Sequence, residues 1–159
     1  MRRLLIGMGL CLGVLLVLIL SRKGPQAPPE QAVRERIEAL HAAVESGDAG
    51  TVVRAMSTRF SSRQMTREEA KALIVMTMRR QEWRQIMLAD IAVQVHDPTH
   101  VHTTMYAVLA QGQAVESLRS LAQTNAGSFK FEFDWELEDD TWMIVSGTYE
   151  RAHLDNLLR

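Results

Sequence analysis

The chain has 159 residues, 47% of them hydrophobic, with 18 Lys and Arg against 19 Asp and Glu. Every acid lies after residue 29, while four of the basic residues fall within the first 23, so the rest of the chain is net negative. A negative chain without a basic stripe has little to offer a phosphate backbone, which excludes nucleic acid as a partner.

Residues 4–20 form an uncharged apolar run, with Arg2 and Arg3 before it and Arg22 and Lys23 after it. The length is at the lower edge of what crosses a bilayer core as a helix. A cleaved signal peptide is the alternative. It needs small residues before the cut, and a cut after Ala27 puts Pro25 and Pro28 around it. Residues 1–23 are therefore expected to be an uncleaved transmembrane signal-anchor. Cys11 lies inside the run as a small hydrophobe facing lipid. The slight positive-inside bias favours a cytoplasmic N-terminus. In a bacterium that means a single pass of the inner (cytoplasmic) membrane with the domain on the periplasmic side. No cysteine follows the anchor, so an oxidising compartment finds no thiol there. Residues 24–30 read as a stiff Pro-rich linker, and residues 31–159 as one domain long enough to bury a core.

Within that domain Val33, Ile37, Leu40 and Val44 recur at helical spacing, ending at Gly47 as a left-handed cap. Asp48 reads as the N-cap of a short second helix with Val52, Val53 and Met56. A connection anchored by Phe60 leads to Thr66 and Glu69, a capping box, and a third helix with Ala70, Leu73, Ile74 and Thr77 on one face. Past Trp83 the period changes. Residues 86–97 and 100–111 read as strands joined at Asp97-Pro98-Thr99-His100, where Pro98 presets the turn. Residues 113–128 are ambiguous, with a helical turn on Val115, Leu118 and Ala122 as one reading. Phe129, Phe131, Phe133, Trp135 and Leu137 then alternate strictly with charged residues. A turn at Asp139-Asp140 returns the chain through residues 141–149. In that register Leu137 faces Trp142, Trp135 faces Ile144 and Phe133 faces Ser146. A short docking helix is expected from Leu154, Leu157 and Leu158. Three helices followed by strands whose apolar face must cover them give an α+β domain, one antiparallel sheet on a helical layer.

This order resembles the nuclear transport factor 2-like (NTF2-like, or SnoaL-like) superfamily, a cone in which a curved antiparallel sheet wraps three N-terminal helices. The resemblance rests on residues 43–57, Ala-Val-Glu-Ser-Gly-Asp-Ala-Gly-Thr-Val-Val-Arg-Ala-Met-Ser, and on residues 135–142, Trp-Glu-Leu-Glu-Asp-Asp-Thr-Trp. These are cap, core and turn signals that cover most of the domain and carry no chemistry of their own. The superfamily includes isomerases, polyketide cyclases, dehydratases, binding modules and membrane-tethered scaffold subunits, so the resemblance leaves function open. It also implies that two copies pair through the sheet.

Among residues with chemistry, His96, His100 and His102 invite a metal. With Pro98-Thr99 as the loop, His96 pairs with Val101 and falls on the face opposite His100 and His102, so no metal site is expected; a bulge would alter that parity. Asp90 is the single catalytic candidate. It sits beside Ile86, Leu88 and Ala92 on the face shared with Met105, Ala107 and Leu109, where desolvation would raise a carboxyl toward general-base duty. Gln94 and His96 on the same side argue instead for an outer, solvated face. The ligand-pocket candidates are Trp83, Tyr106, Trp135, Ser146 and Thr148. Tyr106 offers a hydroxyl donor on the face of Ile91, Val93 and Val95. Ser146 and Thr148 leave room and donors opposite Phe133 and Phe131. His41 reads as a satisfied histidine at the core edge. No Gly-rich phosphate loop, zinc spacing or nucleophile elbow occurs, and no cofactor is expected. The reading is a membrane-tethered, non-enzymatic binding or scaffold domain that recognises a small apolar ligand or a protein partner. The alternative is a small isomerase or cyclase using a buried carboxylate in the cone.

Overall fold

The computed structural model describes residues 27–80, 85–110 and 127–152. The expected anchor, residues 24–26 of the linker, Trp83, the ambiguous turn of residues 113–126 and the segment after Ala152 lie outside them. Among the described residues no helix is long and apolar enough to cross a membrane.

Helix α1 (Pro29–Glu45) begins two residues before the expected domain start, because Pro29 sits at its first turn, where a preset φ and a missing N–H cost nothing. It ends at Ser46, and Gly47 takes φ 76° to reverse the chain. Asp48 caps α2 (Ala49–Arg54) by accepting from the Thr51 amide at 3.0 Å. Helix α3 (Arg67–Arg80) opens on the expected capping box: Thr66 N–H donates to Glu69 at 2.8 Å and Glu69 N–H donates to Thr66 Oγ1 at 3.4 Å. The Thr66 amide first, and then the Thr66 hydroxyl donating to the same oxygen at 2.8 Å, hold the Glu69 carboxyl below its usual range.

Four strands follow as an antiparallel meander, β1 (Gln85–Asp97), β2 (His100–Ala110), β3 (Gly127–Glu138) and β4 (Thr141–Arg151). Val101, Thr103, Met105, Ala107 and Leu109 of β2 share one face, directly across from Trp135, Phe133, Phe131, Phe129 and Gly127 of β3. The helices cover that face. Along β1, Arg34 Nη1 donates to Ile91 O at 3.3 Å and His41 Nε2 donates to Ile86 O at 2.9 Å. At the opposite edge the α2–α3 connection is stitched to β4. Ile144 N–H donates to Ala55 O at 2.9 Å, Ser57 N–H to Ile144 O at 2.9 Å and Ser61 N–H to Val145 O at 3.0 Å. The core joins Val33 and Ile37 of α1 to Ala55, Met56, Val101, Met105, Trp135, Trp142 and Ile144.

Three bulges depart from the register read off the sequence. Asp90 and Ile91 together oppose Met105, His96 is inserted between Val95 and Asp97, and Val145 is inserted opposite the Asp134–Trp135 step. Each adds one residue to one strand, bends it and reverses the face of everything beyond it. The Asp139-Asp140 turn keeps its expected register, Leu137 to Trp142 and Trp135 to Ile144. Both aspartates lie in the left-handed region, at φ 45° and 62°, as the two-residue turn that matches strand twist demands.

The β1–β2 turn carries a testable electrostatic signature. Asp97 accepts from Thr99 N–H at 2.7 Å, from its hydroxyl at 2.8 Å and from His100 Nδ1 at 2.9 Å, and these bonds, the Thr99 amide first, hold its carboxyl down to about 2. A folded-state pKa below the unfolded one gives stability that is complete above about pH 4 and lost as pH falls through the folded value. Hydrogen-exchange protection at the Thr99 amide is therefore expected to fall between about pH 4 and pH 2, with Asp97→Asn flat across that window. A pH-independent amide in the parent chain would contradict the assignment.

Candidate functional site

Between the helices and the inner sheet face lies a cavity of about 570 Å³. One wall is aromatic: Phe129, Phe131, Phe133 and Trp135 follow one another along β3, with Tyr149 of β4 beside them. Phe131 and Phe133 stack at 5.9 Å with an interplanar angle of 22°, and Phe133 meets Trp135 edge-on at 6.3 Å. The facing wall is aliphatic and thioether, from Leu40 and Val44 of α1, Met56 and Met65 of the connections, and Leu73 and Ile74 of α3. Met105, Ala107 and Leu109 floor it from β2, so the face they share is the concave one rather than the outer one that Gln94 and His96 suggest. Trp135 closes the deep end at 1% exposure, its indole N–H donating to Thr103 Oγ1 at 2.9 Å. Among the described residues no Asp or Glu lines the cavity; its polar lining residues are His41, Thr77, Thr148 and Tyr149.

The bulges decide where the sequence candidates go. Asp90 is exposed, with φ 49°, at the bulge that sends Ile91 inward in its place. A carboxylate there stands in solvent, as the outer-face reading has it, and the bulge rather than the strand parity puts it there. Asp tolerates the left-handed region better than most residues and Gly better still. Asp90→Gly is thus expected to be neutral or stabilising by up to about 1 kcal/mol, while Asp90→Val costs about 1–2 kcal/mol. Urea denaturation of both variants reads this, and equal costs would contradict the left-handed assignment.

Tyr106 faces outward, between Ala89 and Lys130, because β1 rather than β2 carries the bulge; Ile91 and Val93 turn to the core without it. Ser146 is likewise displaced from the cavity face. The bulge at Val145 sets it opposite Asp134 and brings Gly147 opposite Phe133 instead. Thr148 borders the cavity, but it opposes Glu132 on the outer face and its hydroxyl bonds that carboxylate. Of the named pocket candidates within the described residues, Trp135 and Thr148 line the cavity, whereas Tyr106 and Ser146 do not.

The histidines are also rearranged. With His96 in a bulge, its ring lies 6.5 Å from that of His102, on the same outer face rather than the opposite one. His102 Nδ1 pairs with Asp134 at 2.7 Å and His100 Nδ1 with Asp97 at 2.9 Å. Among the described residues no group of three or more His, Cys, Asp or Glu is placed to hold a metal. The outer face of β3 is a row of ion pairs: Lys130 with Glu132 at 2.6 Å, and Arg59 with both Glu136 and Glu138 at 2.6 Å. The Lys130 ammonium holds Glu132 below its usual range, and the Ser57 hydroxyl, then Arg59, does so for Glu138.

The geometry, three helices packed into a curved four-stranded meander around an apolar cavity, defines an NTF2-like fold. Comparison with solved structures bears this out. A protein of unknown function from Pseudomonas putida KT2440, described as NTF2-like, superposes with a TM-score of 0.63 at 13% identity over 80% of this chain and 89% of its own. An NTF2-like protein of unknown function in nutrient uptake from Rhodospirillum rubrum gives 0.56 at 16% identity, covering 76% and 98%. A Streptomyces avermitilis protein provisionally called a dehydratase of the NTF2-like family gives 0.59 at 15% identity, covering 77% and 95%. At such identities the likeness is one of fold. No protein-family model matches the sequence, and no curated protein does.

Of the aromatic ladder the sequence marks Trp135 alone as a pocket residue; Phe129, Phe131, Phe133 and their aliphatic counterpart read there as ordinary core. The signal was present in the strict alternation of Phe129 through Trp135. Nothing local distinguishes an apolar face that packs shut from one that encloses space.

Proposed function

We propose that this chain is a membrane-tethered, non-enzymatic binding domain whose cone takes up a small apolar ligand. The observation that carries the reading is the 570 Å³ cavity, within the size range of small-molecule sites, whose described lining includes no carboxylate. With helix α1 starting at Pro29, the domain runs from there to residue 159, residues 24–28 are its linker and residues 1–23 the anchor. The uncharged run of residues 4–20 with basic flanks supports insertion in an inner membrane with the domain on the periplasmic side. A small isomerase, cyclase or dehydratase is the competing reading, supported by the provisional name of the Streptomyces avermitilis protein. It needs an acid–base pair at the cavity, and Asp90 stands in solvent.

The test is native mass spectrometry of the full chain released from its membrane carrier, paired with thermal unfolding. A co-purifying small-molecule mass supports the reading. Resupplying that molecule at about 100 times its Kd is expected to stabilise the fold by about 2.7 kcal/mol. Turnover of an enolisable ketone by the purified chain would overturn it. The same spectrum reads whether two copies pair through the sheet, and protease protection in inverted and right-side-out vesicles reads the orientation.

A further inference from the structure

We propose that the cavity is built for one unbranched hydrocarbon chain carrying a neutral, hydroxyl-type head, with the head at His41 and the tail against Trp135. This names the ligand of the binding reading above and rests on it. Three observations carry it.

The first is shape. The aromatic wall is one strand long. From Phe129 to Trp135 it runs six residues, about 20 Å at the rise of an antiparallel strand. Adjacent rings are 6.4, 5.9 and 6.3 Å apart, a continuous apolar surface without a polar interruption on its inner side. Across from it stand Leu40, Met56, Met65, Leu73 and Ile74, flexible side chains that conform to a chain of variable kink.

The second is the distribution of polarity along that length. At the Trp135 end the one donor, the indole N–H, is already given to Thr103. A ligand oxygen placed there would be buried without a partner, at the full desolvation cost. Of the polar lining, His41 and Thr77 stand toward the other end, while Tyr149 opposes Phe131 midway and the Thr148 hydroxyl is given to Glu132. His41 is tied to Ile86, which pairs with Leu109, eight residues along β2 from Val101, the partner of Trp135. Helix α3 begins near the closed end, where Arg67 Nε donates to Ser57 O at 2.9 Å, and carries Thr77 about 15 Å further along its axis. The cavity therefore suits a molecule with one polar end and rejects one with two.

The third is the character of the head site. Because His41 Nε2 faces a carbonyl and donates to it, Nδ1 is the polar atom of the ring left for a ligand. A hydroxyl, which both donates and accepts, can bond that atom in either protonation state of the ring. Glu45, 3.5 Å from His41 Nε2, disfavours an anionic carboxylate or phosphate beside it.

The experiment uses the full chain in phosphatidylcholine nanodiscs and a probe, 1-hexadecanol bearing a diazirine at the far end of its chain. After irradiation the label is expected on the segment containing Trp135 or Met56. Unlabelled alcohols are expected to compete about fourfold better per added methylene, until the chain outgrows the wall. His41→Leu is expected to weaken competition by 1-hexadecanol at least fivefold and to leave hexadecane unchanged. Thr77→Val serves as the second head-end variant if His41→Leu fails to fold. A monoacylglycerol carrying the same tail diazirine separates the sources: labelling by it identifies a membrane lipid, labelling by the alcohol alone a free one, and both support the proposal. A steroid with oxygen at both ends that displaces the label as well as hexadecanol overturns the single-chain class and leaves the cavity a binding site. Absence of label from every cavity-lining segment overturns the binding reading with it.

Discussion

Replacing Trp135 by alanine is expected to cost about 3–5 kcal/mol of folding stability, the range for truncating a fully buried large aromatic. Trp135 is 1% exposed and stands where α1, the α2–α3 connection and β2 through β4 converge, packed in the same cluster as Val33, Ile37, Met56, Val101 and Ile144. Its indole N–H also satisfies Thr103 Oγ1, itself fully buried. The truncation would leave a void continuous with the existing cavity, so collapse of the surroundings offers little relief. Trp135→Phe keeps the ring contact with Phe133 and loses the hydrogen bond and the second ring, so about half that cost is expected. Urea unfolding of the two variants provides the check. A loss below about 1 kcal/mol for the alanine variant would mean that Trp135 does not close the deep end of the cone.

Gly147→Ala is the second large effect, and its sign is the informative part. Glycine inside a strand normally costs stability, and replacing it by alanine would normally recover roughly 0.5–1 kcal/mol. Here a β-carbon on residue 147 would lie 2.8 Å from Cδ1 and 3.0 Å from Cε1 of Phe133. That ring can yield only by giving up its stacking on Phe131 and its edge contact with Trp135 and moving into the cavity. Overpacking should win, destabilising the fold by about 1–3 kcal/mol. Pairing Gly147→Ala with Phe133→Leu is expected to cost less than the sum of the two single changes, because the shorter side chain vacates the contested space. Strict additivity in that double-mutant cycle would show that the two residues do not meet. The same contact bears on function, since Phe133 lies in the aromatic wall and any displacement of it changes the bore of the cavity.

The outer face follows a different physics. Its ion pairs are mostly solvent-exposed, with Arg59 at 62% side-chain exposure, and such pairs contribute little each. They solvate the long outer face of β3 and set the charge seen by anything that approaches the sheet. The stability of the protein comes from the inner face, where the aromatic ladder meets the helices.

Much of this architecture is written locally. Gly47, Asp48 and the Thr66–Glu69 box each satisfy backbone groups within a few residues, so helix ends follow from neighbouring side chains alone. The Asp139-Asp140 turn fixes the closing hairpin in the same way as far as the Trp135–Ile144 pair, and the alternation from Phe129 to Leu137 puts the β3 aromatic rings on one face. His41 was legible as a satisfied histidine, and its partner proves to be the Ile86 carbonyl. The bulges were not legible. Asp90, His96 and Val145 carry no glycine to mark them, and an inserted residue is stabilised by the curvature the sheet needs to wrap the helices, not by anything in its own sequence window. That is why Tyr106 and Ser146 look inward on a straight count and face outward in the fold, and why His96 joins His102. Secondary structure, its boundaries and the α+β order were determined by the sequence itself, since caps, turns and periodicity act over a few residues. Which side chains see the cavity was decided by tertiary structure alone, because curvature is a property of the whole sheet packed on its helices, and one extra residue in a bent strand turns every side chain beyond it to the other face.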